Sequence, residues 1–386
     1  MSLFRRRNES GQDSTDNEHN TENKKTKGSW KKPANTAFKQ QRLKAWQPIL
    51  TPKTVISTLL IIGLLFAPIG GLLIWGNSKV SQITFEYSGC EKQGSTFSNL
   101  PNFNYQLRSS DSKLSIDPPQ WAFNEPNCTI QFDLPADLSP SVFLYYKLTN
   151  FFQNHRRYVQ SLNTDQLKGQ IVSLSTLDSS TCKPLSTVGA KAIYPCGLIA
   201  NSLFNDTISN PTLLNPSGGS QAIEYVFSDK GIAWPGEAKK YGATQYNLST
   251  IVPPPNWAKR FPNNYSSENP PPDFTTDERF QNWMRTAGLP TFSKLYGRND
   301  TATMFKGKYN ISIEMNYPVE SFGGTKSIVI STIAWTGGKN AFLGWAYVAA
   351  SGLLVLLAIL GTIRHVVKPR RIGDMSLLSW NQVSAK

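Results

Sequence analysis

The sequence predicts a membrane protein in which two transmembrane helices flank a large, mostly β exofacial domain, an antiparallel β-sandwich with long loops and a few short helices. Three observations carry this reading. Two long apolar runs without charge stand near the ends, at residues 55–75 and 342–363. Short runs rich in β-branched and aromatic residues recur between them, separated by turn residues. All four cysteines and six Asn-x-Ser/Thr sequons fall in that same interval.

Residues 55–75, VISTLLIIGLLFAPIGGLLIW, hold 21 positions with no ionisable side chain. At about 1.5 Å per residue they reach about 31 Å, matching a hydrocarbon core of roughly 30 Å. The run is too long, and too far from Met1, for a cleaved signal peptide, whose apolar core is roughly 7–15 residues. Residues 342–363, FLGWAYVAASGLLVLLAILGTI, form the second span. Residues 76–341 must then lie on one side of the membrane. Charge sets which side. Residues 1–54 carry a net +7 and residues 364–386 a net +4, with Lys44, Lys53, Arg364, Lys368, Arg370 and Arg371 close to the spans. Positive charge flanking a span marks the cytoplasmic face, so both termini are expected in the cytosol and 76–341 outside it. The overall net charge of +14 is thus a topology signal. A nucleic-acid binder would gather its basic residues on one surface, not on two short tails beside membrane spans.

Taken in order, residues 1–32 are polar and charged and cannot bury enough surface to offset chain entropy, so a disordered cytosolic tail is expected. Residues 33–54 form a cytosolic juxtamembrane segment in which Phe38, Leu43, Trp46 and Ile49 interleave with Lys39, Arg42 and Lys44. Such a segment suits the lipid headgroup layer, and equally a docking peptide for a cytosolic partner. The first span contains Pro68 and the small-residue pair Ala67 and Gly71; the second contains Ala346 and Ala350, with Gly352 and Gly361 beyond. Small residues four apart allow close helix approach, either between the two spans or toward a larger partner. Neither span carries an Asp, Glu, Lys, Arg or His side chain, which argues against an ion or proton path within this chain. Trp75 and Trp345 fall at the expected outer interface.

In the outer segment the strand runs are SQITFEY, CTIQFDL, VFLYYKL, YNISIEM and KSIVISTIAW. Alternation places Ile311 and Ile313 on one face and Asn310 and Ser312 on the other. Pro-, Asn- and Ser-rich stretches such as IVPPPNWAKRFPNNYSSENPPPDF separate them. The best helix candidate is residues 275–288, with Thr276 as N-cap, Asp277 and Glu278 in the first turn and Gly288 as C-cap. The interval is long enough for one large or two small domains.

Cys90, Cys128, Cys182 and Cys196 imply two disulfides in an oxidising compartment. Three connectivities are open, of which pairing of sequence neighbours is the working choice. Zinc would need tighter ligand spacing and histidines, and the interval holds only His155. The sequons are Asn127, Asn205, Asn247, Asn264, Asn299 and Asn310; six together make glycosylation the expectation. Asn8 also heads a sequon but is expected in the cytosol and so bare. No GxSxG, HExxH, Walker or GxGxxG motif is present. Gly323-Gly324-Thr325-Lys326 lacks the spacing of a phosphate cradle and reads as a turn. His155 has no serine in a nucleophile context to pair with, and no carboxylate pair is singled out for glycosidase chemistry.

Six phrases are specific enough to name a family: NTAFKQQRLKAWQPILTP (35–52), NFFQNHRRYVQS (150–161), YPCGLIANSLFNDT (194–207), IVPPPNW (251–257), NWMRTAGLPTFSKLYGR (282–298) and NYPVESFGGTKS (316–327). With the two spans and the sequon-rich interval, the chain resembles the cell division control protein 50 family, the non-catalytic β-subunits of type IV P-type ATPase lipid flippases, with tails of fungal style. The resemblance implies a stable pair with one ATPase α-subunit, required for exit from the endoplasmic reticulum and for the transport cycle that moves phospholipid to the cytosolic leaflet. It implies an address from the endoplasmic reticulum to the Golgi, endosome or plasma membrane. It implies no catalytic residue, metal or cofactor in this chain, since ATP and Mg belong to the α-subunit. It carries the sequential disulfides over to Cys90–Cys128 and Cys182–Cys196 and ranks Asn205, inside the NDT phrase, first for glycosylation. Phe38, Arg42, Leu43 and Trp46, with Trp75 and Trp345, are the candidate partner contacts. The rival readings are a free-standing exofacial receptor or lipid-modifying enzyme, and a signalling adaptor acting through its tails.

Overall fold

Alternating apolar residues build the sheets. The computed structural model of the protein describes residues 35–43, 50–216 and 221–369. In β1 (Gln82–Glu86) Ile83 and Phe85 are buried between half-exposed neighbours. The other main strands are β2 (Phe103–Gln106), β3 (Gln120–Asn124), β4 (Asn127–Leu134), β5 (Val142–Leu148), β6 (Phe292–Asn299), β7 (Gly307–Glu314) and β8 (Lys326–Thr332). One antiparallel sheet runs β6-β5-β8-β1-β2; a second has β7, β4 and β3 at its centre with short strands at its edges. Their inner faces meet in one core: Ile83, Phe85, Leu144, Tyr146, Ile328 and Ile330 from the first, Ile130, Phe132, Ile311 and Ile313 from the second. The Phe85 and Phe132 rings touch across the gap at 4.8 Å between centroids. This is the expected antiparallel sandwich, and all five anticipated strand runs are strands.

A second apolar cluster lies under the long loops, with Tyr194, Ile251, Trp257, Phe261, Tyr265, Phe274 and Phe280 among its members. It explains why the proline-rich stretch is ordered. Trp257, Phe261, Tyr265 and Phe274 pin it at intervals, and the Tyr265 hydroxyl donates to the Tyr194 carbonyl at 2.7 Å. The described residues from Lys53 onward form one compact unit, which holds both apolar clusters.

The candidate helix is shorter than expected. It runs Glu278–Met284 (α2), and its N-cap is Asp277, whose side chain accepts the Phe280 amide at 2.9 Å. Thr276 instead turns its hydroxyl back to the Asp273 carbonyl, so it cannot cap. Gly288 lies beyond the helix end; the Lys294 side-chain nitrogen from β6 serves there, donating to the carbonyls of Asn282 (2.7 Å), Trp283 (3.2 Å) and Arg285 (2.5 Å). It thereby serves terminal carbonyls that have no partner within the helix.

The spans are helices Pro52–Ser78 (α1) and Phe342–Val367 (α3), both long and apolar enough to cross a membrane; α1 extends the sequence bounds at both ends and α3 at its C-terminal end. Residues before Pro52 belong to a separate unit. There, residues 37–41 turn back on themselves, with the Gln40 amide donating to Thr36 (3.0 Å) and the Arg42 amide to Ala37 (2.7 Å).

Candidate functional site

The apolar stretches of the two helices, which carry no charged side chain between Lys53 and Arg364, cannot hide polar groups from lipid except against each other, so their contact face is where small residues matter. Gly63, Gly70 and Gly76 of α1 are buried, as are Gly344, Ser351 and Ala358 of α3. On α3 the spacing is seven, two helical turns, which keeps the stripe on one side. The Ser351 hydroxyl donates to the Gly63 carbonyl at 2.7 Å, and the Phe66 and Tyr347 rings meet at 5.1 Å. A Cβ on Gly70 would stand 2.8 Å from Val348 Cγ2 and 3.0 Å from its amide nitrogen. Gly70→Leu is therefore expected to overpack the seam and cost about 1–3 kcal/mol, read as a lower melting temperature in detergent.

The Ala67 and Gly71 pair is not in this seam. Both are exposed, and nothing lies within 4 Å of a Cβ built on Gly71; the same holds for Gly352 of α3. Of the two uses the pair allows, contact between the spans is therefore excluded, because Gly71 follows Gly70 by about 100° around the helix. Trp75 and Trp345 are exposed at the helix ends, joined by Trp335, and the Lys79 ammonium lies 5.5 Å from the Trp75 ring. Phe38 and Leu43 are exposed at 76% and 62%, and the Arg42 guanidinium donates to Asn35. Trp46 and the tails 1–32 and 370–386 lie outside the described residues.

The five outer phrases that carry the resemblance meet in one place. Gln153, buried, accepts the Ala287 amide at 2.8 Å. Trp283 donates its indole N–H to the Ile199 carbonyl (2.7 Å), and Trp257 donates to Ala200 (2.9 Å). At the centre lies a buried ion pair: Lys326 Nζ stands 2.8 Å from Asp206 Oδ2, with side-chain exposures of 1% and 0%. Asp206 Oδ2 also accepts from the Tyr87 hydroxyl (2.9 Å), and its Oδ1 accepts the amides of Asn316 (2.5 Å) and Tyr317 (2.6 Å). Lys326 donates further to the Tyr317 carbonyl at 2.7 Å. Burial, with the Asp206 carboxylate beside it, pushes the Tyr87 hydroxyl well above its usual pKa, so it stays a donor. Gly323 has φ +61 at the end of a short helical turn, which is the turn expected there. Sequence reasoning missed Asp206, Tyr87 and Lys326 as a unit. Their one local signal is a lysine opening a strand, KSIVIST, that is buried along its whole length.

Cys90–Cys128 and Cys182–Cys196 are the disulfides, the sequential pairing. Cys90–Cys128 sits in the sandwich core and Cys182–Cys196 in the loop cluster. His155 is exposed at the start of a four-residue helix, without a side-chain cap bond. Among the described residues no group of three or more His, Cys, Asp or Glu is placed to hold a metal ion.

The sequons differ. Asn127, Asn205, Asn247 and Asn264 are exposed. Asn299 is half-buried, its Nδ2 donating to the Val226 carbonyl (2.9 Å) and its Oδ1 accepting the Thr301 and Ala302 amides (3.1 and 2.9 Å). Asn310 shares its face with Ser312 as expected, but it is half-buried between β4 and the short strand Thr212–Leu213, and its Oδ1 is buried without a partner. We expect Asn299 to be bare in purified protein, checked by glycopeptide mass spectrometry.

A disulfide-bonded antiparallel sandwich on a packed pair of apolar helices defines a two-span membrane protein with a large folded domain between its spans. The chain belongs to the LEM3 (ligand-effect modulator 3) family / CDC50 family, whose model matches residues 73–371. It is 45% identical over 357 residues to the phospholipid-transporting ATPase accessory subunit CRF1 of Saccharomyces cerevisiae, covering 91% of this chain and 89% of that one. It is 39% identical over 402 residues to the phospholipid-transporting ATPase accessory subunit CDC50 of Chaetomium thermophilum, covering 99% and 98%. To cell cycle control protein 50A of Mus musculus it is 39% identical over 346 residues, covering 85% and 88%.

Proposed function

We propose that this chain is the accessory β-subunit of a phospholipid-transporting type IV P-type ATPase. The observation that carries the reading is the likeness, over nearly the whole chain, to relatives named as accessory subunits of such ATPases. The chain is non-catalytic and has no cofactor of its own; ATP and Mg are handled by the α-subunit. Both termini face the cytosol, and residues 76–341 face the lumen or exterior, where Asn205 carries an N-glycan. The pair leaves the endoplasmic reticulum together for the Golgi, endosome or plasma membrane.

The physics of the helices fits this role. With its seam facing α3, α1 keeps Ala67 and Gly71 free for close approach by a larger helical bundle. Gly71→Leu is expected to leave the chain folded and to reduce the co-purifying ATPase several-fold; full retention of the ATPase would assign that face to lipid. Phe38, Arg42, Leu43 and Trp46 reach the partner's cytosolic side, and Trp75 and Trp345 its outer rim. By this clamp the chain stabilises some states of the partner's cycle over others. A subunit that bound all states equally would shift no transition. Phosphoenzyme formation by the partner, with and without this chain, tests the mechanism: equal levels at equal amounts of folded partner would contradict it.

A further inference from the structure

A cavity of about 620 Å³ opens beside α2, lined by Asn205, Lys259, Arg260, Arg279, Glu314 and Asn316, with Trp257 and Phe280 as apolar wall. Of the six sequon asparagines, Asn205 is the one on its rim. Its side chain is exposed, whereas its backbone is fixed on both sides. Phe204 stacks on Tyr146 with ring centroids 3.9 Å apart and an interplanar angle of 2°. Asp206 is locked by the buried ion pair, and the Asn205 carbonyl accepts from Asn316 Nδ2 at 3.3 Å. A group attached at Asn205 therefore starts from a fixed backbone position, at the mouth of a space within the roughly 300–1,000 Å³ that ligand sites occupy.

We propose that the N-glycan of Asn205 folds its inner N-acetylglucosamine residues into this cavity and is held there as part of the ectodomain. The proposal rests on the reading that Asn205 is glycosylated. The walls suit a sugar. Lys259 Nζ lies 3.4 Å from Glu314 Oε1 and bonds Asn316, leaving a fringe of charged and amide groups to meet hydroxyl and acetamido groups. The apolar wall meets the carbon face of the ring. A weak site suffices, since attachment at the rim gives the sugar an effective concentration on the order of millimolar. Asn127 and Asn264, exposed and off this rim, hold their glycans in solvent.

The test uses the intact protein purified with high-mannose glycans. An endoglycosidase that cuts between the two inner N-acetylglucosamines is applied to native and to denatured protein, and the Asn205 glycopeptide is followed by mass spectrometry. Native release is expected at least about tenfold slower than release after denaturation, because cutting must wait for the sugar to leave the cavity. Asn256→Trp fills the cavity with an indole from an exposed position. It is expected to raise native release to the denatured rate with occupancy and melting temperature unchanged. Equal native and denatured rates in the wild type would overturn the proposal, as would protection that persists in Asn256→Trp. A bare Asn205 peptide would instead overturn the underlying reading, and the proposal with it.

Discussion

Asp206→Asn is expected to cost the ectodomain about 3–5 kcal/mol, the usual penalty when one partner of a buried ion pair is removed. The reason is what remains. The Lys326 ammonium, 1% exposed, would face a neutral amide and the Tyr317 carbonyl in a site sealed from water. Asparagine keeps an oxygen for the Asn316 and Tyr317 amides, so what is lost is the charge and the second oxygen that accepts from Lys326 and Tyr87. The sequon headed by Asn205 also survives, because the middle position of Asn-x-Thr accepts any residue except proline. A change in folding is therefore separable from a change in glycosylation. Adding Lys326→Met removes the orphaned charge and is expected to recover most of the loss. Thermal unfolding of the single and double variants checks this; a double variant no better than Asp206→Asn would show that charge is not the cause.

Opening a disulfide comes next in size. Removing either native bridge from a secreted-type domain costs about 2–5 kcal/mol. The two closed loops differ, 38 residues for Cys90–Cys128 against 14 for Cys182–Cys196. Loop-closure entropy alone makes the longer one worth about 0.9 kcal/mol more. All four cysteines are buried, so either double variant leaves unfilled space as well; for Cys90→Ala/Cys128→Ala that space lies in the sandwich core. Cys182→Ala/Cys196→Ala acts on the loop cluster that surrounds Tyr194 and Trp257. We expect the first double variant to melt at the lower temperature and to be cut faster by protease within the sandwich. The reverse order would mean that the loop cluster sets the stability of the whole domain.

Local pattern makes much of the fold legible. The spans announce themselves by length and lack of charge, and five strands by alternation or apolar richness. Strand β6 is hidden because Lys294, Gly297 and Arg298 interrupt any apolar alternation. The structure uses each of the three for something else. Lys294 ends α2, Gly297 sits against Phe227 where a Cβ would come within 2.9 Å, and Arg298 pairs with Asp300 at 2.6 Å. The α2 cap lies one residue past the expected threonine because threonine and aspartate both qualify by type, and only the Asp273 turn decides between them. In the membrane, spacing by four is the familiar pattern of close helix approach, yet the α3 side of the seam is spaced by seven. The Asp206–Lys326 pair is illegible for another reason: 120 residues separate its members, and no local rule joins them. What the sequence does carry is a set of specific phrases, and their convergence on Trp283, Trp257, Gln153 and the ion pair gives those phrases a physical meaning.

The most direct test of the central claim is to isolate the glycosylated chain from native membranes in mild detergent and identify by mass spectrometry what comes with it. The account predicts a single large ATPase polypeptide in roughly equal amount, with phosphoenzyme formation retained. Recovery of the chain alone, in a detergent shown to preserve such complexes, would contradict it.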